Sequence, residues 1–117
     1  MLAMSTIYKI LPAAMWADAQ AEGVFAGAPV DTADGFIHFS TATQVQETAE
    51  KHFKGQENLI LLAVDAEKLG PALKWEPSRG GALFPHLYGK LKLSAVKWNR
   101  ELSLGAGGAH VFPVLEP

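Results

Sequence analysis

The pattern of apolar positions predicts a domain built mostly from short strands. Residues 59–64 are apolar at every position, which predicts a central strand covered on both faces. Pro85 indicates that the strand containing it lies at an edge or bends. Further strands are predicted where β-branched and aromatic residues cluster or apolar positions alternate with polar ones, at residues 6–11, 36–40, 73–76, 83–88 and 95–102.

Two segments predict helices early in the chain. Residues 13–22 contain good helix formers between Pro12, which suits a first helical turn, and Gly23, which suits a helix end. Residues 42–54 predict the second helix, and Thr41 with Gln44 three positions later has the spacing of a capping box at its start. The expected buried faces are Met15, Trp16 and Ala19 in the first helix and Val45, Ala49 and Phe53 in the second. Residues 23–35, rich in glycine and alanine, predict a loop.

Helices near the start followed mainly by strands favour an α+β fold over a doubly wound sheet. A chain of 117 residues suits one domain with its own core. We assign residues 1–104 to that domain. Residues 105–117 are rich in glycine and proline and predict a loosely held tail.

Composition narrows the class of protein. Hydrophobic residues make up 49% and charged residues 19%, and the net charge is −2, with no cluster of Lys or Arg that would indicate double-stranded nucleic acid as a partner. The longest apolar run, residues 59–64, is too short to cross a bilayer. The first residues lack a basic stretch typical of a signal peptide, and there are no cysteines. These features predict a cytoplasmic location.

His38 and Ser40 are the first candidate site residues. Side chains two apart on a strand share a face, so these two would lie about 7 Å apart, close enough to hold neighbouring groups of one ligand. Ser40 and Thr41 also precede a predicted helix N-terminus, where free N–H groups favour anions. The alternative is that His38 is a core histidine satisfied by backbone groups.

A second cluster combines Trp75, Glu76, His86 and Tyr88. In an extended segment His86 and Tyr88 share a face. The Glu76 carboxylate, beside Trp75, could have a raised pKa and take part in proton transfer, or it could pair with Arg79. The same residues could instead be ordinary core.

Familiar enzyme motifs are incomplete. His38-Phe39-Ser40 fits half of the paired His-x-Ser/Thr motif of two-histidine phosphoesterases, and no other histidine begins a second copy. A metal site of His38, His86 and Glu76 is chemically feasible but has no supporting local spacing. There is no nucleophile turn of the Gly-x-Ser-x-Gly type and no phosphate-binding glycine loop.

Several phrases resemble a small bacterial and plant family known as domain of unknown function 952. They are GFIHFST at 35–41, Gln44, the Trp75-Glu76 pair, FPHLYGKL at 84–91 and Ala95-Val96. The resemblance covers residues 6 to about 100. It implies an ADP-ribosyltransferase-like fold in which two small, mostly antiparallel sheets form a cleft, here with two N-terminal helices.

That fold group also implies roles for particular residues. His38 and Ser40 match the element that binds the adenosine ribose of NAD, although Phe39 stands where a glycine is usual. Tyr88 corresponds to the tyrosine that stacks on nicotinamide. The glutamate that stabilises the ribosyl cation would be Glu76 or Glu101.

Three hypotheses follow. In the first, the protein binds a small nucleotide-like or polar metabolite in a cleft lined by His38, Ser40, His86 and Tyr88, with Thr41 and Trp75 assisting. In the second, the same cleft holds NAD, and His38, Glu76 and His86 are catalytic residues of an ADP-ribosyl or related transferase. In the third, the protein is non-catalytic and acts through a partner surface. We favour the first, with no metal and no membrane partner.

Overall fold

The computed structural model describes residues 5–117, except for the side chain of Arg79. The predicted pair between Glu76 and Arg79 therefore lies outside the described residues. Three α-helices are present in the described chain: α1 (Ala13–Glu22), α2 (Pro29–Asp34) and α3 (Val45–His52). The strands are β1 (Thr6–Pro12), β2 (Val24–Phe25), β3 (Ile37–His38), β4 (Leu59–Asp65), β5 (Leu73–Pro77), β6 (Leu83–Leu87), β7 (Leu91–Lys92) and β8 (Val96–Leu102).

The strands form small antiparallel sheets, which confirms the α+β class. One sheet has the order β1–β4–β8, a second has the order β3–β6–β5, and β2 pairs with β7. The prediction of a central strand at residues 59–64 is confirmed, because β4 lies between β1 and β8 and is buried along its whole length. Its alternating side chains contribute to two apolar clusters, one on each face of the sheet.

Helix α1 has the predicted bounds and packs through the predicted face. Trp16 and Ala19 are buried, and Met15 packs against the same cluster. Gly23 ends the helix with φ of 84°, and its N–H donates to the carbonyl of Ala19. One detail was wrong: Pro12 is the last residue of β1 and precedes the helix instead of lying in its first turn.

The prediction of a continuous loop at residues 23–35 was wrong, because this segment contains β2 and α2. Pro29 occupies the first turn of α2, where its missing N–H costs nothing. The carboxylate of Asp31 accepts from the N–H of Ala28 at 2.8 Å. Gly35 ends the helix with φ of 89°. The buried carboxylate of Asp31 thus stabilises the start of α2, a helix too short for its sequence to show helical periodicity.

The strand predicted at residues 36–40 is divided between two sheets. Only Ile37 and His38 pair with β6, whereas Ser40 pairs with Tyr8 of β1 through N–H···O bonds of 2.7 Å and 2.9 Å. The chain therefore crosses from one three-stranded sheet to the other at Phe39. This crossing sets His38 and Ser40 at the junction of the two sheets.

Strand β6 is the centre of its sheet, so of the two alternatives that Pro85 indicated, an edge or a bend, the edge was wrong. The carbonyl of Pro85 accepts from the N–H of Phe39 at 2.9 Å. The N–H and C=O groups of one residue point to the same side of an antiparallel strand. Because β3 ends at His38, the missing N–H of Pro85 faces the point where the ladder stops.

Helix α3 is shorter than predicted, and Val45 and Ala49 form its buried face as expected. Thr41 and Gln44 form half of the predicted capping box: Gln44 Oε1 accepts from the N–H of Thr41 at 3.0 Å, while the Thr41 hydroxyl pairs with Thr43 at 3.2 Å. None of the described helices is long and apolar enough to span a bilayer.

The C-terminal segment is attached to β1, in contrast to the loose packing predicted for it. The Tyr8 hydroxyl donates to the carbonyl of Glu116 at 2.8 Å and accepts from its N–H at 2.9 Å. The N–H of Thr6 donates to the carbonyl of Pro117 at 3.3 Å. Lys97 pairs with the Glu116 carboxylate at 3.1 Å. The division of the chain at residue 104 stays a prediction.

Candidate functional site

An open cavity of about 600 Å³ lies where β1, β3, α3 and β6 meet. Its polar lining includes three histidines, and apolar residues from the strands and α3 complete the wall. The polar lining residues are Lys9, Asp34, His38, Ser40, Thr48, His52, Ser78 and His86. The structure thus brings together three of the four predicted lining residues, His38, Ser40 and His86.

Asp31 supports this cavity from behind. It is 1% exposed and its carboxylate accepts four hydrogen bonds. Lys9 Nζ donates to it at 3.0 Å, the N–H of Ala28 at 2.8 Å, and the N–H and Nδ1 of His38 at 3.1 Å and 2.7 Å. A carboxylate this deeply buried requires such compensation, because removing its charge from water is costly.

These contacts determine the charge of Asp31. Burial by itself would raise its pKa, but the hydrogen bond from the His38 ring, the charge of Lys9 and the two backbone N–H groups outweigh burial and lower the pKa from 3.8 to about 2. Burial lowers the pKa of Lys9, and its pairing with Asp31 opposes that shift. Lys9 and Asp31 therefore form a buried ion pair beneath the cavity.

His38 bridges two carboxylates. Its Nδ1 faces Asp31 at 2.7 Å, and its Nε2 faces Asp34 Oδ2 at 2.9 Å. Ionised carboxylates only accept hydrogen bonds, so both contacts are satisfied together only by an imidazolium that carries a proton on each nitrogen. Asp31 is buried, whereas Asp34 is 49% exposed. Asp31 is therefore held in place by the residues packed around it, whereas the carboxylate of Asp34 faces solvent.

His86 forms the second histidine–carboxylate pair. Its Nδ1 lies 2.8 Å from Oε1 of Glu76, and the hydroxyl of Tyr88 donates to the same oxygen at 2.8 Å. These two hydrogen bonds, first from His86 and then from Tyr88, lower the pKa of Glu76. The raised pKa predicted for Glu76 was therefore wrong, because hydrogen bonds to the charged form dominate over desolvation. The bond to Glu76 raises the pKa of Tyr88.

The two pairs face each other across paired strands. His38 of β3 is directly opposite His86 of β6, and their ring centroids are 5.5 Å apart. The Phe36 ring stacks on His86 at 4.1 Å and lies 4.6 Å from the ring of His38 and 5.2 Å from that of Tyr88. Phe36 thus holds the two imidazoles in a fixed relation.

The other predicted site residues are more dispersed. Ser40 is buried and its hydroxyl pairs with that of Thr48 at 2.9 Å, inside the cavity. Trp75 lies opposite Pro85 on β5 with its side chain 44% exposed, and neither it, Tyr88 nor Thr41 belongs to the described cavity wall. Their roles in binding stay predictions.

Sequence reasoning missed Asp31, Asp34, Phe36 and Lys9. A weak local signal exists for Asp31, because an aspartate two residues after a proline is typical of a helix start. Nothing local connects Lys9 to Asp31, and their side chains meet only in the tertiary structure. Within residues 5–117 as described, no three His, Asp or Glu side chains are grouped so that they could hold a metal ion.

The fold and the cavity together define a class: a small α+β protein with antiparallel sheets and an open cavity that two carboxylate-bound histidines border. The chain belongs to the family described as "Protein of unknown function (DUF952)", whose model matches residues 10–99. This confirms the resemblance found in the sequence.

Solved structures of a protein from Caulobacter crescentus, CC0527, are similar along nearly the whole chain. Its crystal structure is 57% identical with a TM-score of 0.89, and the match covers 92% of this chain and 94% of that one. Its solution NMR structure is 59% identical with a TM-score of 0.81, covering 89% and 90% of the two chains. No curated protein matches the sequence.

Proposed function

We propose that the protein binds a small, anionic, nucleotide-like metabolite in the cavity bordered by His38 and His86. The observation that carries this proposal is the direct opposition of these two histidines, from segments far apart in the chain, at the wall of one open cavity of about 600 Å³. Ligand pockets of roughly 300–1,000 Å³ usually combine apolar walls with a few convergent polar groups, as this cavity does.

The hydrogen-bond donors of the lining suit the oxygens of an anion. One ammonium and three imidazoles line the cavity, against a single carboxylate, that of Asp34. Asp31 neutralises Lys9 and Asp34 pairs with His38, so directed hydrogen bonds, and not a net positive field, would hold the anion. Ser40, Thr48 and Ser78 add hydroxyl groups to the lining, and apolar residues such as Phe53 and Phe84 provide surfaces for a ring. A sugar phosphate attached to an aromatic base combines these chemical features.

A second candidate is ADP-ribosyl transfer with NAD, in an ADP-ribosyltransferase-like fold. It is favoured by the position of Glu76, whose carboxylate contacts both His86 and Tyr88 and is 34% exposed. In this candidate Glu76 stabilises the positive charge that develops on the ribose, and Tyr88 stacks on the nicotinamide. It requires the bound NAD to extend beyond the described cavity wall to reach Tyr88.

Calorimetric titration tests the binding proposal. NAD, ADP-ribose, AMP and nicotinamide are titrated separately into the folded protein, and we expect AMP or ADP-ribose to bind. His86→Gln should weaken that binding at least tenfold, while the control His110→Gln, whose ring contacts the carbonyl of Gln56, should leave it unchanged. The absence of any heat at millimolar ligand would overturn the proposal.

Nicotinamide release separates the two candidates. If NAD is cleaved and Glu76→Gln abolishes the cleavage, the transferase is the correct function. Binding without release of nicotinamide supports the binding protein. If His38→Gln and His86→Gln only lower stability, by about 1–3 kcal/mol through unpaired polar groups, and no ligand binds, the histidines are structural. A cytoplasmic location stays a prediction.

A further inference from the structure

We propose that His86 and His38 act as a general base and a general acid in the hydrolysis of a small phosphate diester bound in this cavity. This inference rests on the proposed function, because it names the class of substrate and the chemistry of the same site. It starts from a difference between the two histidines: one has a free ring nitrogen, and the other has both ring nitrogens bound to carboxylates.

His86 is prepared to accept a proton. Its Nδ1 donates to Glu76, a carboxylate that can only accept, so the neutral ring carries its proton on Nδ1 and its lone pair on Nε2. The described residues give Nε2 no hydrogen-bond partner, and the ring lines the cavity. A carboxylate that holds the distal nitrogen of a catalytic histidine fixes its tautomer and stabilises the imidazolium that forms.

His38 is prepared to give a proton. Its two carboxylate contacts require a proton on each nitrogen, and Asp31 retains the Nδ1 proton from a buried position. The Nε2 proton points to Asp34, which is half exposed at the end of α2, before Gly35. An ester oxygen of a substrate can replace the Asp34 carboxylate there without disturbing the buried partner.

A phosphate diester needs both proton transfers. Water is a weak nucleophile unless a base removes its proton, and an alkoxide is a poor leaving group unless an acid protonates it. The oxygen of water bonds to phosphorus as its proton passes to Nε2 of His86. The bond from phosphorus to the ester oxygen breaks as that oxygen takes the proton from Nε2 of His38. The products are a phosphate monoester and an alcohol, and solvent restores both protonation states.

The distance between the two rings is compatible with His86 as the general base and His38 as the general acid for one substrate. Centroids 5.5 Å apart at an angle of 68° place the two rings in edge-to-face contact, so a single phosphate on the cavity side of the rings can reach both, and Phe36, stacked on one ring and packed against the other, keeps that spacing. Positioning two groups around a reacting atom in this way is a major source of rate enhancement. Glu76 and Asp31 are then positioning residues, since each acts through its histidine.

The test uses the intact protein with 2′,3′-cyclic mononucleotides, followed by ³¹P NMR. We expect conversion to a phosphate monoester, and His86→Gln and His38→Gln should each reduce turnover at least about 100-fold. His110→Gln is the matched control and should retain full turnover, because His110 lies outside this cavity. Circular dichroism checks that each variant is folded.

A second substrate assigns the two roles. In methyl p-nitrophenyl phosphate the p-nitrophenolate leaves without a proton, so His38→Gln should reduce its hydrolysis less than tenfold, whereas His86→Gln should reduce it about as much as it reduces hydrolysis of the cyclic substrate. Equal losses in both variants on both substrates would overturn the assignment. If His38→Gln does not fold, the loss in His86→Gln on both substrates carries the test.

Failure of this inference can be distinguished from failure of the proposed function. If the cyclic nucleotides bind by calorimetry and the wild-type protein does not convert them, the acid–base chemistry is wrong and the binding function stands. If AMP or ADP-ribose binds and no diester does, the substrate class is wrong. If none of these ligands binds, both proposals are overturned.

Discussion

The Nδ1 atom of His38 lies 2.7 Å from Oδ1 of Asp31, so a histidine at the wall of an open cavity is tied to a carboxylate that is 1% exposed. The same carboxylate receives the ammonium of Lys9 from β1. Asp31 therefore connects the core of one sheet with the site at the junction of both. Its loss should affect stability and the site together.

Replacing Asp31 by asparagine should lower the free energy of unfolding by about 3–5 kcal/mol, because the ammonium of Lys9 would remain buried without its counter-charge. Urea denaturation at pH 7 measures this loss. Asp34→Asn is the matched control, since Asp34 is 49% exposed and its pairing with His38 is screened by solvent. Similar losses in the two variants would contradict the structural role of Asp31.

The low pKa of Asp31 predicts loss of stability in acid. The unfolded chain, with a carboxyl pKa of 3.8, takes up its proton before the folded protein does, with a pKa of about 2. The contribution of Asp31 is thus fully present above about pH 4 and disappears as the pH falls towards 2. It amounts to about 2 kcal/mol. Urea midpoints measured between pH 5 and pH 2 should fall more steeply in the wild-type protein than in Asp31→Asn.

Gly27 should not tolerate a side chain. Its φ is 118°, and a Cβ there would lie 3.0 Å from the Cβ of Asp31. Gly27→Ala should lower the free energy of unfolding by about 1–3 kcal/mol, through backbone strain and displacement of α2. Gly89→Ala provides the comparison, because no atom lies within 4 Å of a Cβ at that position and its φ is not positive. We expect the melting temperature of Gly27→Ala to lie clearly below that of Gly89→Ala.

The Tyr8 hydroxyl holds the C-terminal segment against β1. Tyr8→Phe removes both of its hydrogen bonds to the backbone of Glu116 and should cost about 1–3 kcal/mol of stability, since it leaves those groups unpaired. Hydrogen exchange should show faster exchange of the Glu116 amide. Tyr88→Phe, in which the lost hydroxyl is exposed, should change stability much less. Unchanged Glu116 exchange in Tyr8→Phe would argue against this attachment.

Glu76 should control the ionisation of Tyr88. The chain has two tyrosines, so Tyr8→Phe leaves Tyr88 as the only phenol that titrates. In that background the pKa of Tyr88 should lie above 10.0, because its hydroxyl donates to the ionised Glu76. Adding Glu76→Gln should lower that pKa towards its ordinary value. Ultraviolet absorption at alkaline pH follows the phenolate, and an identical titration in both proteins would exclude the contact.

Much of the fold could be predicted because it depends on local patterns. The apolar run of β4 indicated a central strand, and the faces of α1 and α3 followed from helical spacing. The errors occurred where tertiary contacts replace local signals. Helix α2 depends on the carboxylate of Asp31, and Pro85 is accepted in a central strand because β3 is only two residues long.

The residues of the candidate site also fall into those that local patterns predicted and those that depend on tertiary contacts. The periodicity of strands was enough to select His38 with Ser40, and His86 with Tyr88, as residues with shared faces. Glu76 was placed in the cluster of His86 and Tyr88 by its position in the chain, with Arg79 as the partner offered for its carboxylate. Periodicity could not select Asp31 or the stacking of Phe36 on His86, because these contacts depend on which strands pair and in what register.

By itself the sequence determined the α+β class, the central strand, the two longer helices and the family. These features depend on apolar and polar side chains that recur at short intervals along the chain, and such a pattern is present before the chain folds. Only the tertiary structure decided that His38 faces His86, that each has its own carboxylate, and that Glu76 has a lowered pKa. Those properties arise from the approach of groups distant in the chain and from their removal from water, and both exist only once the sheets have formed.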